Sequence, residues 1–174
     1  DKIEAKGIRT KDGVLHELDI IVKATGFDGF AFMRPMTMTG ADNLTLEEAW
    51  KNGPKAFRAI TIPSFPNFFM LNGPSSPIGN YSLIAIAETQ ATYIMQCIQK
   101  YMEGGFDYIE PKQKAVDDFY QTVHEALPGT IWTTGCQSWY LDDKGVPLLW
   151  PWSPQRYAKE MKQPNFNNYH LRKA

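Results

Sequence analysis

Hydrophobic and polar positions follow their most regular pattern in the middle of the chain, over residues 67–101. The apolar run from Phe68 to Leu71 ends at Gly73-Pro74, and its short length, aromatic content and flanking turn residues predict a buried strand. A long helix is predicted over residues 82–103, with a length of roughly 33 Å. Its apolar residues recur every three or four positions and predict the buried face: Ile84, Ala87, Ala91, Ile94, Ile98 and Met102.

The succession of strand, glycine turn and helix start has two interpretations. The free N–H groups and the positive dipole end of such a helix point into the turn, so the unit can hold an anion or a cofactor. The same unit also occurs throughout α/β proteins as plain structure. The pattern alone favours the structural interpretation, and further motifs are needed to decide.

Two strand-like runs at the start of the chain, residues 2–10 and 14–24, flank Asp12-Gly13, which is a strong signal for a β-hairpin. The centre of the second run is Ile20-Ile21-Val22, which predicts a strand buried on both faces, as in a parallel sheet. This run ends at Thr25-Gly26. The glycine permits a tight turn or the close approach of a ligand, and the local pattern favours the turn.

Three further elements are predicted from local signals. Thr45, followed three residues later by Glu48, resembles a capping box and predicts a short helix to about Asn52. Residues 58–62 alternate between polar and apolar and predict a strand. A second long helix is predicted between Pro111 and Pro128-Gly129. Its apolar face is expected to comprise Val116, Phe119, Tyr120, Val123 and Leu127.

The chain changes character at Trp132, because four of the five tryptophans follow within residues 132–157 and Gly and Pro interrupt any period. Such a segment predicts an irregular aromatic loop that packs over a site or covers a hydrophobic surface. The polar tail at 159–174 is expected to be extended or disordered.

Composition narrows the class of protein. The net charge is −1 over 174 residues, so neither nucleic acid nor an anionic membrane is indicated as a partner, and no apolar run approaches a membrane span. Cys97 and Cys136 are too few for a disulfide framework, and Cys97 is expected to be an inert packing residue. A cytoplasmic location is expected. The polar start without Met predicts a piece of a longer protein and no signal peptide.

Several catalytic machineries are absent from the sequence. There is no GxSxG elbow, no P-loop and no GxGxxG fingerprint, and the three histidines lack metal-ligand spacing. His124 is expected to be a structural residue. The adjacent pairs Asp117-Asp118 and Asp142-Asp143 are expected to be solvated charges.

Three phrases together resemble one family: DIIVKATGFD, FPNFFMLNGPSSP and SWYLDDKG. In this order and spacing the chain is similar to the C-terminal part of the class B flavoprotein monooxygenases, which include Baeyer–Villiger and flavin-containing monooxygenases. The resemblance implies an α/β fold, the C-terminal portion of a FAD/NAD(P)-binding, Rossmann-like domain with a β-hairpin, two main helices and a long aromatic loop. Residues 1–131 would belong to the FAD-binding domain, and residues 132–174 would pack over the site.

The resemblance also implies cofactors and a reaction. The family reduces FAD with NADPH and transfers one oxygen atom of O₂ to a ketone, a nitrogen or a sulfur. The missing N-terminal FAD and NADP domains would be partners of this chain, which alone would be inactive and would bind FAD weakly.

The site residues follow position by position from the resemblance. Thr25 and Gly26 would lie at the backbone crossing near the cofactor, and the turn would border the isoalloxazine through Gly73, Pro74 and Ser76. Ser82 and Leu83 would open the helix beneath the flavin, where its N-terminus would stabilise negative charge. Ser138, Trp139 and Tyr140 would lie on the NADP or substrate side. The aromatic cover would comprise Trp139, Tyr140, Trp150 and Trp152.

The chain departs from the family pattern in ways that leave alternatives open. Both GxGxxG fingerprints, the family's Gly/His/Trp motif and the peroxyflavin-stabilising arginine lie outside it, so it carries no complete active site. Leu141-Asp142-Asp143 follows Tyr140 in place of a Gly-Ala-Asn-like stretch, which leaves the type of oxygenation open. A disulfide-reductase-like flavin oxidoreductase is one alternative. Another is a non-catalytic binding domain, whose tryptophans would be exposed in a row.

Overall fold

A computed structural model describes residues 2–26, 28–29, 31–76, 78–135, 140–142 and 145–173. The strands are β1 (Lys2–Glu4), β2 (Gly7–Arg9), β3 (Leu15–Glu17), β4 (Tyr108–Pro111) and β5 (Tyr169–Arg172). The α-helices are α1 (Leu46–Ala49), α2 (Leu83–Met102), α3 (Gln113–Ala126) and α4 (Pro154–Glu160). Short 3₁₀ turns lie at Ala41–Asn43, Leu127–Gly129, Ile131–Thr133 and Phe166–Asn168. No helix in these ranges is both long and apolar enough to cross a membrane.

The first three strands form an antiparallel meander with the order β1-β2-β3. β2 and β3 pair in the register Ile8↔His16 and are joined through Gly13, whose φ is 84°. The Asp12 carboxylate accepts the Val14 N–H at 3.2 Å and closes the turn. The predicted hairpin is therefore confirmed, although a second turn divides its first strand into β1 and β2.

The predicted parallel strand at 18–26 is wrong for this chain, because these residues form no strand and are exposed. Ile20 and Val22 expose 79% and 82% of their surface. A strand buried on both faces needs a hydrogen-bonded neighbour and a covering layer on each side. The part of the chain that the structure describes supplies neither, and its strand pairs are all antiparallel.

Both ends of the predicted long helix are confirmed in α2. The Ser82 hydroxyl accepts the Ala85 N–H at 3.3 Å as the N-cap. At the other end the chain leaves the helix through Gly104, whose φ of 82° is easily reached only by glycine.

The predicted buried face of α2 is only partly confirmed: Ala87, Ala91 and Ile94 are half-buried and Ile94 packs against the core, but the other residues of that face are exposed. Ile84 and Met102 are 74% and 76% exposed. The helix instead turns a second stripe toward the core, composed of Ile86, Gln90, Tyr93 and Cys97. The helix therefore has two apolar stripes, and Ile84, Ile98 and Met102 on the more apolar one remain exposed among the described residues.

The main core lies between α2, α3, α4 and the β4–β5 pair. The predicted face of α3 is confirmed, since Val116, Tyr120, Val123 and Leu127 are buried and Phe119 packs against the core. The tail is ordered: β5 pairs antiparallel with β4 in the register Ile109↔Leu171. The expected extended packing of the tail is therefore confirmed.

The strands predicted at residues 58–62 and 68–71 are also wrong, because the apolar residues of both segments lie in turns and irregular backbone. Arg58 and Ala59 have positive φ values of 51° and 62°, and the chain folds back so that Phe57 bridges Thr61. Residues 68–71 also lie outside any strand, although the Met70 N–H donates to the Ile60 carbonyl at 2.9 Å. Ile60 is buried although it lies in a turn, so the alternation at residues 58–62 resembled a strand where no sheet forms.

The short helix α1 confirms the predicted capping box. The Thr45 hydroxyl accepts the Glu48 N–H at 3.2 Å, and the Glu48 carboxylate accepts the Thr45 N–H at 3.0 Å. These two bonds satisfy backbone donors that a helix start leaves free. The helix ends at Ala49, a few residues earlier than expected.

Candidate functional site

The start of α2 is an open helix N-terminus. Ser82 is exposed, and Leu83 is 49% exposed to solvent. The Ser82 carbonyl accepts the Ile86 N–H at 3.1 Å, which is the first hydrogen bond of the helix. The first turn of this 20-residue helix carries no acidic side chain. The first N–H groups of a helix have no partner inside it, and the dipole places partial positive charge there. The surface can therefore receive a negatively charged or strongly polarised group.

The turn at Gly73–Ser76 is closed from within. The Gly73 N–H donates to the Ala59 carbonyl at 3.2 Å, and the Gly73 carbonyl accepts the Ser76 N–H at 3.2 Å and the Ser76 hydroxyl at 2.9 Å. Pro74 and Ser76 are fully buried. A Cβ at position 73 would lie 2.4 Å from the Ala59 carbonyl oxygen and 2.5 Å from the Met70 sulfur. Glycine is thus required by the packing of the chain on itself.

The predicted cofactor residues divide into an open and a closed group. Thr25, Gly26, Ser82 and Leu83 are exposed, and a Cβ at Gly26 would meet no atom within 4 Å. Gly73, Pro74 and Ser76 are buried, so they present little surface to a ligand. Among the described residues, no hydrogen bond joins Thr25 or Gly26 to the Gly73 turn.

The aromatic segment reaches the loop in front of α2 through Trp132. Its indole fills the space beside Gly79, where an added Cβ would lie 2.0 Å from a ring carbon. Trp132 also packs edge-on against Tyr140, with ring centroids 5.4 Å apart. The sequence marks Trp132 as the start of the aromatic segment but does not predict its contact with Gly79, because residues more than fifty positions apart leave no local signal of such a contact.

Tyr140 is the one member of the predicted Ser-Trp-Tyr group that the structure describes, and Ser138 and Trp139 lie outside the described residues. Tyr140 is half-buried, and its carbonyl accepts the Leu148 N–H at 2.9 Å. Its neighbours therefore bring this end of the aromatic segment beside the loop before α2.

The expected role of Trp150 in an aromatic cover is wrong. It is 3% exposed and stacks in the chain's own core, with its ring centroid 5.0 Å from Tyr157 and 6.4 Å from Phe119. Trp152 is half-buried at the edge of this cluster, where the Arg156 guanidinium lies 3.9 Å above its ring. Both indoles are used in packing α3 against α4.

The buried titratable groups near the turn are held neutral. Burial raises the pKa of Tyr120 to about 12, and the Ala56 N–H, which donates to the Tyr120 hydroxyl at 3.2 Å, opposes that rise. Burial likewise raises the pKa of Tyr93 to about 12 and that of the Cys97 thiol to about 12. None of these groups can exchange protons near neutral pH. Among the described residues no His, Cys, Asp or Glu cluster could hold a metal ion.

One cavity is lined by a different part of the chain. It has a volume of about 1020 Å³ and is lined mainly by residues 28–54, including Phe32, Met36, Met38 and Trp50. No residue of the predicted cofactor set lines it. The residues that line this cavity form no recognisable catalytic group, so the start of α2 remains the better candidate for a cofactor site.

Comparison with known proteins gives a consistent family. No protein-family model matches the chain. An uncharacterized monooxygenase of Mycobacterium tuberculosis (strain ATCC 25618 / H37Rv) is 47% identical over 173 residues, covering 99% of this chain and 35% of that protein. A Baeyer–Villiger monooxygenase of Streptomyces coelicolor is 34% identical over 163 residues, covering 92% of this chain and 31% of that protein. The chain thus spans about a third of the length of these relatives.

Solved structures agree. The structure of cyclohexanone monooxygenase from Rhodococcus sp. Phi1 bound to NADP⁺ superposes with a TM-score of 0.82 at 30% identity, over 98% of this chain and 33% of that one. OTEMO in complex with FAD and NADP gives a TM-score of 0.84 at 27% identity, over 98% of this chain and 32% of that one. Over almost its whole length the chain is thus similar to Baeyer–Villiger-type flavoprotein monooxygenases, and its structure matches the C-terminal part of those enzymes.

Proposed function

We propose that the chain forms one wall of the flavin site in a longer FAD- and NADPH-dependent monooxygenase that inserts one oxygen atom of O₂ into a ketone. The observation that carries this proposal is the open start of α2, beside which the chain leaves its most apolar helix stripe uncovered. The chain spans about a third of its relatives' length, so in the longer protein the part corresponding to the other two thirds would cover that surface.

The uncovered surface is large and apolar. On α2 it comprises Leu83, Ile84, Met95, Ile98 and Met102, and at residues 18–26 it comprises Leu18, Ile20, Ile21 and Val22. Exposed apolar patches on a protein surface commonly mark sites of association. The N-terminal FAD and NADP domains of the longer protein would bury both segments.

The residues present fit FAD. The first N–H groups of α2 would face the electron-rich edge of the isoalloxazine, with Ser82 and Leu83 at the contact. Gly26 has a φ of 80° and open space at its Cα, so the backbone at Thr25-Gly26 could approach the cofactor closely. Gly73, Pro74 and Ser76 would form the wall behind this contact. Bound FAD supplies the redox and oxygen-transfer chemistry, and this chain's residues bind it and exclude water.

Water exclusion would fall to residues 132–174. Trp132 already covers Gly79 in front of α2, and Tyr140 packs on Trp132. Trp139 and Ser138 would extend this cover toward NADP and the substrate. A dry site strengthens the attraction between the helix start and charge on the flavin and prevents hydrolytic side reactions.

A ketone is the substrate class that the comparisons favour. The relatives and neighbours include a Baeyer–Villiger monooxygenase and a cyclohexanone monooxygenase. Transfer of oxygen to a nitrogen or a sulfur is the second candidate, because Leu141-Asp142 follows Tyr140 where the resemblance led us to expect small residues. The cytoplasmic location stays a prediction.

The two other candidates have less support. A disulfide-reductase-like enzyme would need a redox-active pair of cysteines, and Cys97 is a buried thiol whose pKa is raised to about 12. A binding module would present its tryptophans in an exposed row. Here Trp150 is in the core and Trp132 is packed over Gly79.

The proposal is tested with the full-length protein that carries this chain. Purified protein is expected to contain FAD, and NADPH oxidation is expected to rise with a cyclic ketone. Mass spectrometry under ¹⁸O₂ should find one labelled oxygen in an ester or lactone product. A thioether in place of the ketone distinguishes sulfur oxygenation. Protein that contains no flavin, or that oxidises NADPH equally with and without either substrate, would contradict the proposal.

A further inference from the structure

We infer that Gln90 is a positioning residue of the flavin site, which fixes the backbone before Gly73 relative to the helix that faces the cofactor. The inference rests on the proposed function, because the turn and the start of α2 matter only if they bind FAD. It adds a residue that no motif of the family resemblance includes.

Gln90 occupies an unusual place for an amide. It lies in the middle of α2 and is fully buried, on the stripe that also carries Ile86, Tyr93 and Cys97. Burying an amide without hydrogen bonds is costly, so a side chain of this type is retained in a core when its bonds have a use.

Both ends of the Gln90 amide are bonded. Its carbonyl oxygen Oε1 accepts the backbone N–H of Asn72 at 2.7 Å, and its Nε2 donates to the Tyr157 hydroxyl at 2.8 Å. The Asn72 N–H can only donate, so it must face the amide oxygen and the NH₂ group must face Tyr157. The amide thus joins three segments in one orientation: the turn, α2 and α4.

The bonded residue is a critical point of the backbone. Asn72 has a φ of 52°, in the left-handed region, and directly precedes Gly73. The next N–H along the chain, that of Gly73, is held by the Ala59 carbonyl at 3.2 Å. Two successive backbone N–H groups are therefore fixed, that of Asn72 by the Gln90 side chain and that of Gly73 by the Ala59 carbonyl. Left-handed residues persist when their surroundings determine them, and such positions cluster at functional sites.

The geometric consequence concerns spacing. The turn lies in front of α2 in sequence, while Gln90 lies two turns inside α2, so the amide ties the turn to the same helix whose start is proposed to bind the flavin. Loss of this tie would let the turn and the helix start move relative to each other. FAD would then bind a less preorganised wall.

The test uses the full-length protein with two variants at Gln90 and one matched control. Gln90→Met keeps the volume and removes both hydrogen bonds. Gln90→Glu keeps an acceptor for Asn72 and loses the NH₂ donor to Tyr157, and burial favours the neutral form of the new carboxyl. The control is Gln96→Met, since Gln96 also lies on α2 and donates to the Lys162 carbonyl at 3.1 Å, away from the turn.

The readouts are FAD affinity of the reconstituted apoprotein, visible circular dichroism of the flavin, its reduction potential and thermal stability. Because a lost hydrogen bond corresponds to about tenfold in an equilibrium constant, Gln90→Met is expected to weaken FAD binding about tenfold and to alter the flavin spectrum. Gln96→Met should leave both unchanged. Gln90→Glu is expected to bind FAD with nearly the wild-type affinity because it keeps the bond to Asn72, and it provides the test if Gln90→Met does not fold.

Two results would overturn the inference alone. One is a Gln90→Met variant whose FAD affinity and flavin spectrum equal those of the wild type, while its thermal stability falls no further than that of Gln96→Met. The other is a tenfold loss of FAD affinity in Gln90→Glu, in which the bond to the Asn72 N–H is kept. Absence of FAD from the wild-type protein would instead overturn the proposed function, and this inference with it.

Discussion

The contact between Gly79 and Trp132 allows the coupling of the aromatic segment to the helix start to be measured. In Gly79→Ala, the added Cβ would lie 2.0 Å and 2.5 Å from two carbons of the indole ring, well inside van der Waals contact. The φ of Gly79 is not among the positive values, so the substitution carries no backbone penalty of its own. The whole effect should arise from displacement of Trp132.

The magnitude follows from the overlap. Forcing a methyl group into a packed site typically costs about 1–3 kcal/mol, and a 2.0 Å approach to a large ring places this case near the upper end, at about 2–3 kcal/mol. In a Trp132→Ala background the ring is gone. Gly79→Ala is then expected to be neutral or to stabilise by about 0.4–1 kcal/mol, because alanine reduces the freedom of the unfolded chain.

The assay is a double-mutant cycle by chemical denaturation of wild type, both single variants and the double variant. The expected coupling energy is about 2 kcal/mol or more, with the sign that the second substitution relieves the first. Indole fluorescence should also change in Gly79→Ala, since Trp132 must leave its contact with Tyr140. An equal cost of Gly79→Ala with and without Trp132 would refute the packing described here.

Three further outcomes are expected. Thr45→Ala should cost about 1 kcal/mol in the free energy of unfolding, because it removes the N-cap of α1; equal stability by denaturation would contradict the observed capping box. The pKa values of Tyr93 and Tyr120 lie at about 12 in the folded protein against 10.0 unfolded, so the neutral form favours folding. Their contribution is complete below pH 10 and is lost as the pH rises through 12, which denaturation followed by tyrosinate absorbance should show; a Phe variant at either position should flatten that loss. Ile84→Glu places a charge on the exposed apolar stripe of α2, so it should reduce self-association of the isolated chain in sedimentation and impair FAD retention by the full-length protein. A variant that self-associates less and also retains more FAD would argue against burial of this stripe in the full-length protein.

Local chemistry made part of this fold predictable. The ends of α2, the Asp12-Gly13 turn and the Thr45–Glu48 capping box depend on residues a few positions apart, and all three are confirmed. The face of α3 was equally predictable, because that helix has a single apolar stripe against one core.

The errors have a common physical cause. A pattern shows that a side chain will be buried but not which element will cover it. On α2, Ile84 is more apolar than Gln90, yet Gln90 is buried because Tyr157 and the Asn72 backbone satisfy its amide. Residues 18–26 read as a buried strand, and no neighbouring strand for them lies in the described chain.

The candidate site was predictable only in its local half. The helix start near Ser82 and the turn at Gly73 follow from the local pattern, and their roles toward a cofactor follow only from the family resemblance. The structure adds the reason for that glycine, which is its close packing against Ala59 and Met70. The tie from Gln90 and the contact of Trp132 with Gly79 join residues that are distant in sequence, so no local pattern could indicate them.

The flavin reduction potential of two variants at Leu83 tests most directly whether the start of α2 faces the cofactor. Leu83→Asp and Leu83→Asn differ by one charge at the first helical residue, where an acidic side chain favours the helix itself. A unit charge about 8–16 Å from the flavin at an effective dielectric of 20 contributes roughly 1–2 kcal/mol. For a two-electron couple this is roughly 20–40 mV. Leu83→Asp should have the lower potential by that amount, with a helix at least as stable as in Leu83→Asn, and equal potentials in the two variants would contradict a flavin at the start of α2.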